Sequence, residues 1–320
     1  MNLSKIKFNG RYYMDDNHPI FYNGGSGFSF KMKGTGFSLT FDSIPIPGYF
    51  YIILNRNYEN KRKVYANNSG FHYEFSQDGI YLVDIVKANE ANDNALKLLD
   101  FSVDGELLDY DYQYTKKVMV YGDSTIAGFG ILEHGGNASV HNSDSVRDFC
   151  YHALYDLNVD ADIFSASGYG LVFSSYTTPK TKGIINYINN VAVDKTIKWN
   201  DKTPHDLLII SLGCNDTSYI AEEPKLRQEK IEIVKQKYKE LIDSELSKNK
   251  DIKILMIYGT LKEEQAYYLY EESFEYLRNF YPNLYIHKFN GDSSAVSNHA
   301  YVDAHDRMAE ELKLVIKELL

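Results

Sequence analysis

The sequence predicts an α/β protein with an all-β first part, on three observations. Short alternating strands separated by Gly- and Asn-rich turns fill the first ~110 residues. From Lys116 onward, apolar runs alternate with helical periodicity. The chain is 320 residues long, comfortable for two domains. Together these describe a β-sandwich or jelly roll over residues 1–113, then an α/β domain with a parallel sheet covered on both faces over 114–320.

The strand signals of the first part are Phe28–Met32, Phe37–Phe41, Tyr49–Leu54, Phe71–Phe75 and Ile80–Val86. Turns are expected at Asn23-Gly24-Gly25, Gly34-Thr35-Gly36 and Asn67-Asn68-Ser69-Gly70. In the second part the strand runs are Lys117–Tyr121, Asp162–Ser165, Leu207–Leu212, Ile252–Tyr258 and Leu284–Phe289. Residues 224–248 carry interleaved Lys and Glu, with Ile231, Ile233, Val234, Tyr238, Leu241 and Ile242 at helical spacing. Residues 300–320 form a closing amphipathic helix through Met308, Leu312, Val315, Ile316 and Leu319.

Composition narrows the function. A net charge of −10 with no basic stripe argues against nucleic acid, and no window reaches the ~18 apolar residues of a membrane helix. Met1–Gly10 has no apolar core of a secretory signal, so a cytoplasmic protein is the default, although a secreted protein with its signal removed would read the same way. Cys150 and Cys214 match no metal or redox spacing, and Cys214, after an apolar run, is expected as a buried free thiol. The aromatic residues are 28 Tyr and 17 Phe against one Trp, and Tyr-rich surfaces suit sugars, although core positions account for most of them.

In parallel sheets, ligands bind beyond the carboxyl ends of the strands. There the sequence places Gly122-Asp123-Ser124-Thr125, then Ser167-Gly168-Tyr169-Gly170, then Gly213-Cys214-Asn215-Asp216, and finally Asn298-His299 before the last helix. A Ser hydroxyl needs a base to become a nucleophile, and donors for the oxyanion it creates. An N-cap Ser, turn glycines and a helix-capping Asn are the bland readings of each block alone. Four blocks in this order favour catalysis.

These blocks resemble those of the SGNH (GDSL-like) hydrolases, named for Ser, Gly, Asn and His. Val118–Ser124 matches the first block, with Gly128-Phe129-Gly130 as its extension. Leu208–Asp216 matches the third. His299 with Ala304-His305-Asp306-Arg307-Met308-Ala309 matches the last. The two-part layout resembles the second family of carbohydrate esterases, which carry a jelly roll before the hydrolase domain, and Lys87-Ala88-Asn89-Glu90 matches the Lys-Glu strand end of that family.

The resemblance implies a flavodoxin-like α/β/α hydrolase domain with a parallel sheet over 114–320, and a serine esterase that removes acetyl groups from poly- or oligosaccharides such as xylan or mannan. It implies Ser124 as nucleophile, His299 as base, and Ser124, Gly168 and Asn215 as oxyanion donors, with no metal and no cofactor. Tyr169 and Trp199 are candidate sugar contacts, although a core or docking role is the favoured reading of Trp199. His305 is the weaker candidate for the base. His134, His141 and His152 are read as surface or structural residues.

The chain departs from the pattern where an Asp normally precedes the His by two or three positions, because Ser297 and Val296 stand there. A backbone carbonyl holding Nδ1–H is one substitute; Asp292 and Asp303 are others. A lipid or thioester esterase on the same scaffold, and a non-catalytic carbohydrate-binding protein, are the competing classes.

Overall fold

The structure is a computed structural model, and it describes residues 3–66, 68–175, 179–200, 202–262 and 264–320. The expected turn at Asn67–Gly70 begins outside the described residues. The first sheet is antiparallel, built from β1 (Lys7–Asn9), β2 (Tyr12–Asp15), β3 (His18–Phe21), β4 (Gly27–Ile44), β5 (Gly48–Leu54), β6 (Arg62–Ala66), β7 (Gly70–Lys87) and β8 (Ala95–Leu108). Its order is β2-β3-β8-β4-β7-β5-β6, with β1 on β4.

Two expected strands merge in β4 and two in β7, so Gly34-Thr35-Gly36 is not a turn. It is a bulge, where the pairing of β4 shifts by one residue against β8 and by three against β7. The extra residue changes the parity of the strand. Phe28, Phe30 and Met32 before it, and Phe37, Leu39 and Phe41 after it, therefore all enter one aromatic core. Gly34 at φ +153° faces Gly105 at φ +147°, and a Cβ on either would lie 2.1 Å from a carbonyl oxygen of the neighbouring strand. Sequence alone does not separate this use of glycine from a turn, because both need backbone that other residues cannot supply.

The second sheet is parallel: β9 (Lys117–Gly122), β10 (Asp160–Ser165), β11 (Leu207–Ser211), β12 (Lys253–Tyr258) and β13 (Leu284–Lys288), in the order β10-β9-β11-β12-β13. This is the flavodoxin-like order, whose switch point lies at the first strand. Its helices are α1 (Ser124–Ala127), α2 (Phe149–Asp156), α3 (Cys214–Glu222), α4 (Arg227–Leu246), α5 (Tyr267–Arg278) and α6 (Val302–Leu319). One core layer holds α2 and α6, the other α4 and α5, so both faces of the sheet are covered. Along α4, Ile231, Val234, Tyr238, Leu241 and Ile242 are buried as expected, but Ile233 points to solvent. Among the described residues, no helix is long and apolar enough to cross a membrane.

The two sheets are joined by buried polar contacts. Arg11, between β1 and β2, is 2% exposed and lies over the Phe164 ring at 4.3 Å. Its Nε donates to Asp162 at 3.2 Å, and one terminal nitrogen donates to the carbonyls of Ile188 and Asn190 at 2.7 and 2.8 Å.

Candidate active site

Strand register sets the site. Gly122, Ser165 and Ser211 close three adjacent strands at the same level, since Gly122 pairs with both of the others. The segments carrying Ser124, Gly168 and Asn215 therefore leave the sheet side by side. A Cβ at Gly122 would lie 2.3 Å from the Ile126 side chain, so glycine is required for the tight passage from β9 into α1. The cap of α1 is Asp123, which accepts from the backbone N–H and the hydroxyl of Thr125 at 3.0 Å each. Ser124 is thereby released from capping.

His299 Nε2 lies 2.7 Å from Ser124 Oγ. On the other side of the ring, Nδ1 lies 3.1 Å from the Val296 carbonyl oxygen and 3.2 Å from that of Ser297. A carbonyl can only accept, so Nδ1 carries the proton and Nε2 is left to accept from the serine. Ser297 and Asn298 are both in the left-handed region, at φ 51° and 61°, which folds these carbonyls back over the imidazole. Phe129 covers the ring at a centroid distance of 4.9 Å. Gly130, at φ +62°, leaves room for Val296, whose Cβ a side chain there would approach to 2.6 Å.

Asp292 Oδ1 accepts from the backbone N–H groups of Ser294 and Tyr301, and Asp303 is exposed in the first turn of α6. His305 is 2% exposed and accepts from the Phe149 N–H at 3.2 Å. Burial, with the nearby His299, pushes its pKa down to about 3, so it stays neutral and packs.

Gly168 occupies its turn at φ +81°, a conformation that L side chains rarely adopt. Asn215 is 8% exposed, and one of its two amide hydrogens goes to the Tyr169 carbonyl at 3.2 Å. That bond fixes the amide and leaves the second hydrogen to point elsewhere. Asp216 beside it accepts from the N–H groups of Leu171, Val172 and Phe173 at 2.6–2.8 Å. Burial raises its pKa to about 6 against the pull of those three bonds. At Gly170, a Cβ would collide with this carboxylate at 2.2 Å.

Three expectations are corrected. Trp199 lies at the opposite end of the sheet, edge-on to Tyr12 at 5.7 Å in a cleft with Lys7, Lys117 and Asp160, the last two being the first residues of their strands. A residue ahead of a parallel strand belongs to its amino edge, away from Ser124. Tyr169 is 3% exposed, its hydroxyl bonded to Asp194, so its ring is core and not a sugar platform. Cys214 is half-buried at the start of α3, while Cys150 is buried; neither is in a disulfide.

Among the described residues, His152, Asp156 and Glu310 form a cluster of metal-ligand type. The Lys313 ammonium sits between its carboxylates, 2.8 Å from Asp156 and 2.5 Å from Glu310, as a cation already in place.

The backbone carbonyl expected as one partner for His299 Nδ1 is present, but sequence reasoning did not say which, since main-chain carbonyls leave no residue signature. Sequence reasoning missed what Glu90 does. Glu90 Oε2 accepts the Ser167 N–H at 2.7 Å, reaching from the end of β7 to the turn before Gly168. Only the Lys-Glu match at that strand end pointed there.

No protein-family model and no curated protein sequence matches the chain. Solved structures do. A family two carbohydrate esterase from Clostridium thermocellum, an active-site mutant, is 21% identical with a TM-score of 0.83, covering 98% of each chain. A family two carbohydrate esterase from Cellvibrio japonicus is 18% identical, TM-score 0.82, over 98% of this chain and 95% of its own. An acetyl xylan esterase from the rumen bacterium Butyrivibrio proteoclasticus is 15% identical, TM-score 0.84, over 99% and 96%. These likenesses run the length of both sheets, and the chain has the two-domain fold of the family 2 carbohydrate esterases.

Proposed function

We propose that the protein is a serine carboxylic-ester hydrolase that deacetylates carbohydrate, with Ser124 as nucleophile and His299 as general base. The observation that carries this reading is the 2.7 Å approach of His299 Nε2 to Ser124 Oγ, made at the carboxyl edge of the parallel sheet with the imidazole tautomer already set. Likeness in fold to carbohydrate esterases supports the substrate class.

In the first step Ser124 Oγ bonds to the ester carbonyl carbon as its proton passes to His299 Nε2. The oxyanion is held by the Ser124 and Gly168 N–H groups and the free Asn215 amide hydrogen. Collapse breaks the bond to the sugar oxygen, which takes the proton from His299. Water then attacks the acetyl-serine, again through His299, releasing acetate and restoring Ser124. Carbonyl oxygens orient the imidazole but stabilise the imidazolium less than a carboxylate does.

The test is acetate release from p-nitrophenyl acetate and from acetylated xylan and mannan oligosaccharides, by wild type and Ser124→Ala. Expected is activity that prefers the sugars and is lost in the variant. Equal activity in both proteins, or none in either, overturns Ser124 as nucleophile and favours a binding protein. A preference for long acyl chains over acetyl redirects the substrate class to lipids.

A further inference from the structure

The turn that carries Gly168 is held from outside its own sheet. The chain leaving β7 runs Ala88-Asn89-Glu90-Ala91-Asn92, and two of its side chains grip Ser167. The Ser167 N–H donates to Glu90 Oε2 at 2.7 Å, and Asn92 Nδ2 donates to the Ser167 carbonyl at 3.1 Å. The second bond bears directly on Gly168. The Ser167 C=O and the Gly168 N–H belong to one planar trans peptide unit and point in opposite directions, so holding the first aims the second. A donor on the carbonyl also polarises the amide and strengthens its N–H.

The gripping segment is itself anchored. Lys87, 2% exposed, donates through Nζ to the carbonyls of Asn89 and Glu90, the latter at 3.1 Å. Asn89 is fully buried; its Oδ1 accepts from the Tyr49 N–H, and its Nδ2 donates to the Val140 and Ser143 carbonyls. Ser143 Oγ in turn accepts from the N–H of Gly130, the residue packed against Val296. One stretch of the antiparallel-sheet domain thus touches the supports of both the Gly168 turn and the His299 loop.

We infer that Glu90 and Asn92 are positioning residues, through which the first domain aims the Gly168 N–H at the oxyanion via the Ser167–Gly168 peptide. The inference rests on the esterase reading above. Losing a whole oxyanion donor costs ~10²–10³ in turnover, so misaiming one should cost about tenfold.

The experiment measures kcat and KM for p-nitrophenyl acetate, with melting temperatures, on the full chain and its Asn92→Ala, Asn92→Asp, Glu90→Ala, Glu90→Gln and Asn215→Ala variants. Asn92 is exposed, so its variants should melt with the wild type. Both should lose about tenfold in kcat with KM within about twofold, Asp faring no better than Ala because it cannot donate. Glu90→Gln keeps an acceptor oxygen and should recover most of what Glu90→Ala loses.

Wild-type kcat in both Asn92 variants, beside a loss of ~10² or more in Asn215→Ala, overturns the positioning role and leaves the oxyanion reading intact. So does a kcat loss that merely follows a fall in melting temperature. If Asn215→Ala is also unimpaired, the oxyanion reading fails and the inference falls with it. Should Glu90→Ala fail to fold, the Asn92 pair decides.

Discussion

The carbonyl oxygen of Val296 lies 3.1 Å from His299 Nδ1, on the side of the ring away from Ser124. That carbonyl, together with that of Ser297, occupies the place where an acid three or two residues before the histidine would act. The two oxygens reach it because Ser297 and Asn298 are left-handed, which turns the main chain inward and the Ser297 side chain out to solvent.

Restoring the acid at 297 should therefore do little. In Ser297→Asp the new carboxylate stands in water, where a charge pair is worth about 0–1 kcal/mol, so kcat should stay within about fivefold of wild type. Steady-state kinetics on p-nitrophenyl acetate checks this. A gain of about a hundredfold would show that the side chain displaces the carbonyls and reaches Nδ1.

His305 should set part of the acid limb of stability. Its pKa falls from the usual imidazole value to about 3 on folding, through burial and the neighbouring His299, against the pull of Asp306 and Asp292. As pH drops below about 6.5, the unfolded chain takes up a proton that the folded one refuses, so stability is lost between about pH 6.5 and pH 3. At pH 4.5 this amounts to about 2–3 kcal/mol. His305→Asn keeps an acceptor for the Phe149 N–H and removes the titration. Urea unfolding at pH 7 and pH 4.5 should show a smaller drop for the variant by about that amount; parallel drops would refute the assignment.

Arg11 should behave as a structural tie between the sheets. Arg11→Ala strands the Asp162 carboxylate in the interior and removes the donor serving the Ile188 and Asn190 carbonyls. A loss of about 3–5 kcal/mol is expected by urea denaturation, and Arg11→Lys should recover only part, lacking the planar fork. A loss under about 1 kcal/mol would mean that water enters and solvates the aspartate.

Much of this architecture is readable from residue order. Strongly apolar β-branched runs such as Leu207–Leu212 have few alternatives to buried parallel strands, and residues following such runs necessarily gather at one sheet edge. Hence Ser124, Gly168, Asn215 and His299 are visible before any coordinates. The same logic puts Trp199, which precedes a strand, at the opposite edge, against Tyr12 and away from Ser124. Glycine was ambiguous in kind: at Gly34 it permits close backbone approach inside a strand, at Gly168 a left-handed turn, and a sequence shows only the missing Cβ.

What the sequence determined by itself is the fold class, the carboxyl ends of the parallel strands and which side chains follow them, because these come from local periodicity and chain order. Tertiary structure alone decided that His299 leans on the Val296 and Ser297 carbonyls, and that Glu90 and Asn92 hold Ser167 from 77 and 75 residues away. Main-chain groups are the same at every residue, so which carbonyl faces which ring is fixed by torsions and by how the domains dock, and neither is written in residue identity.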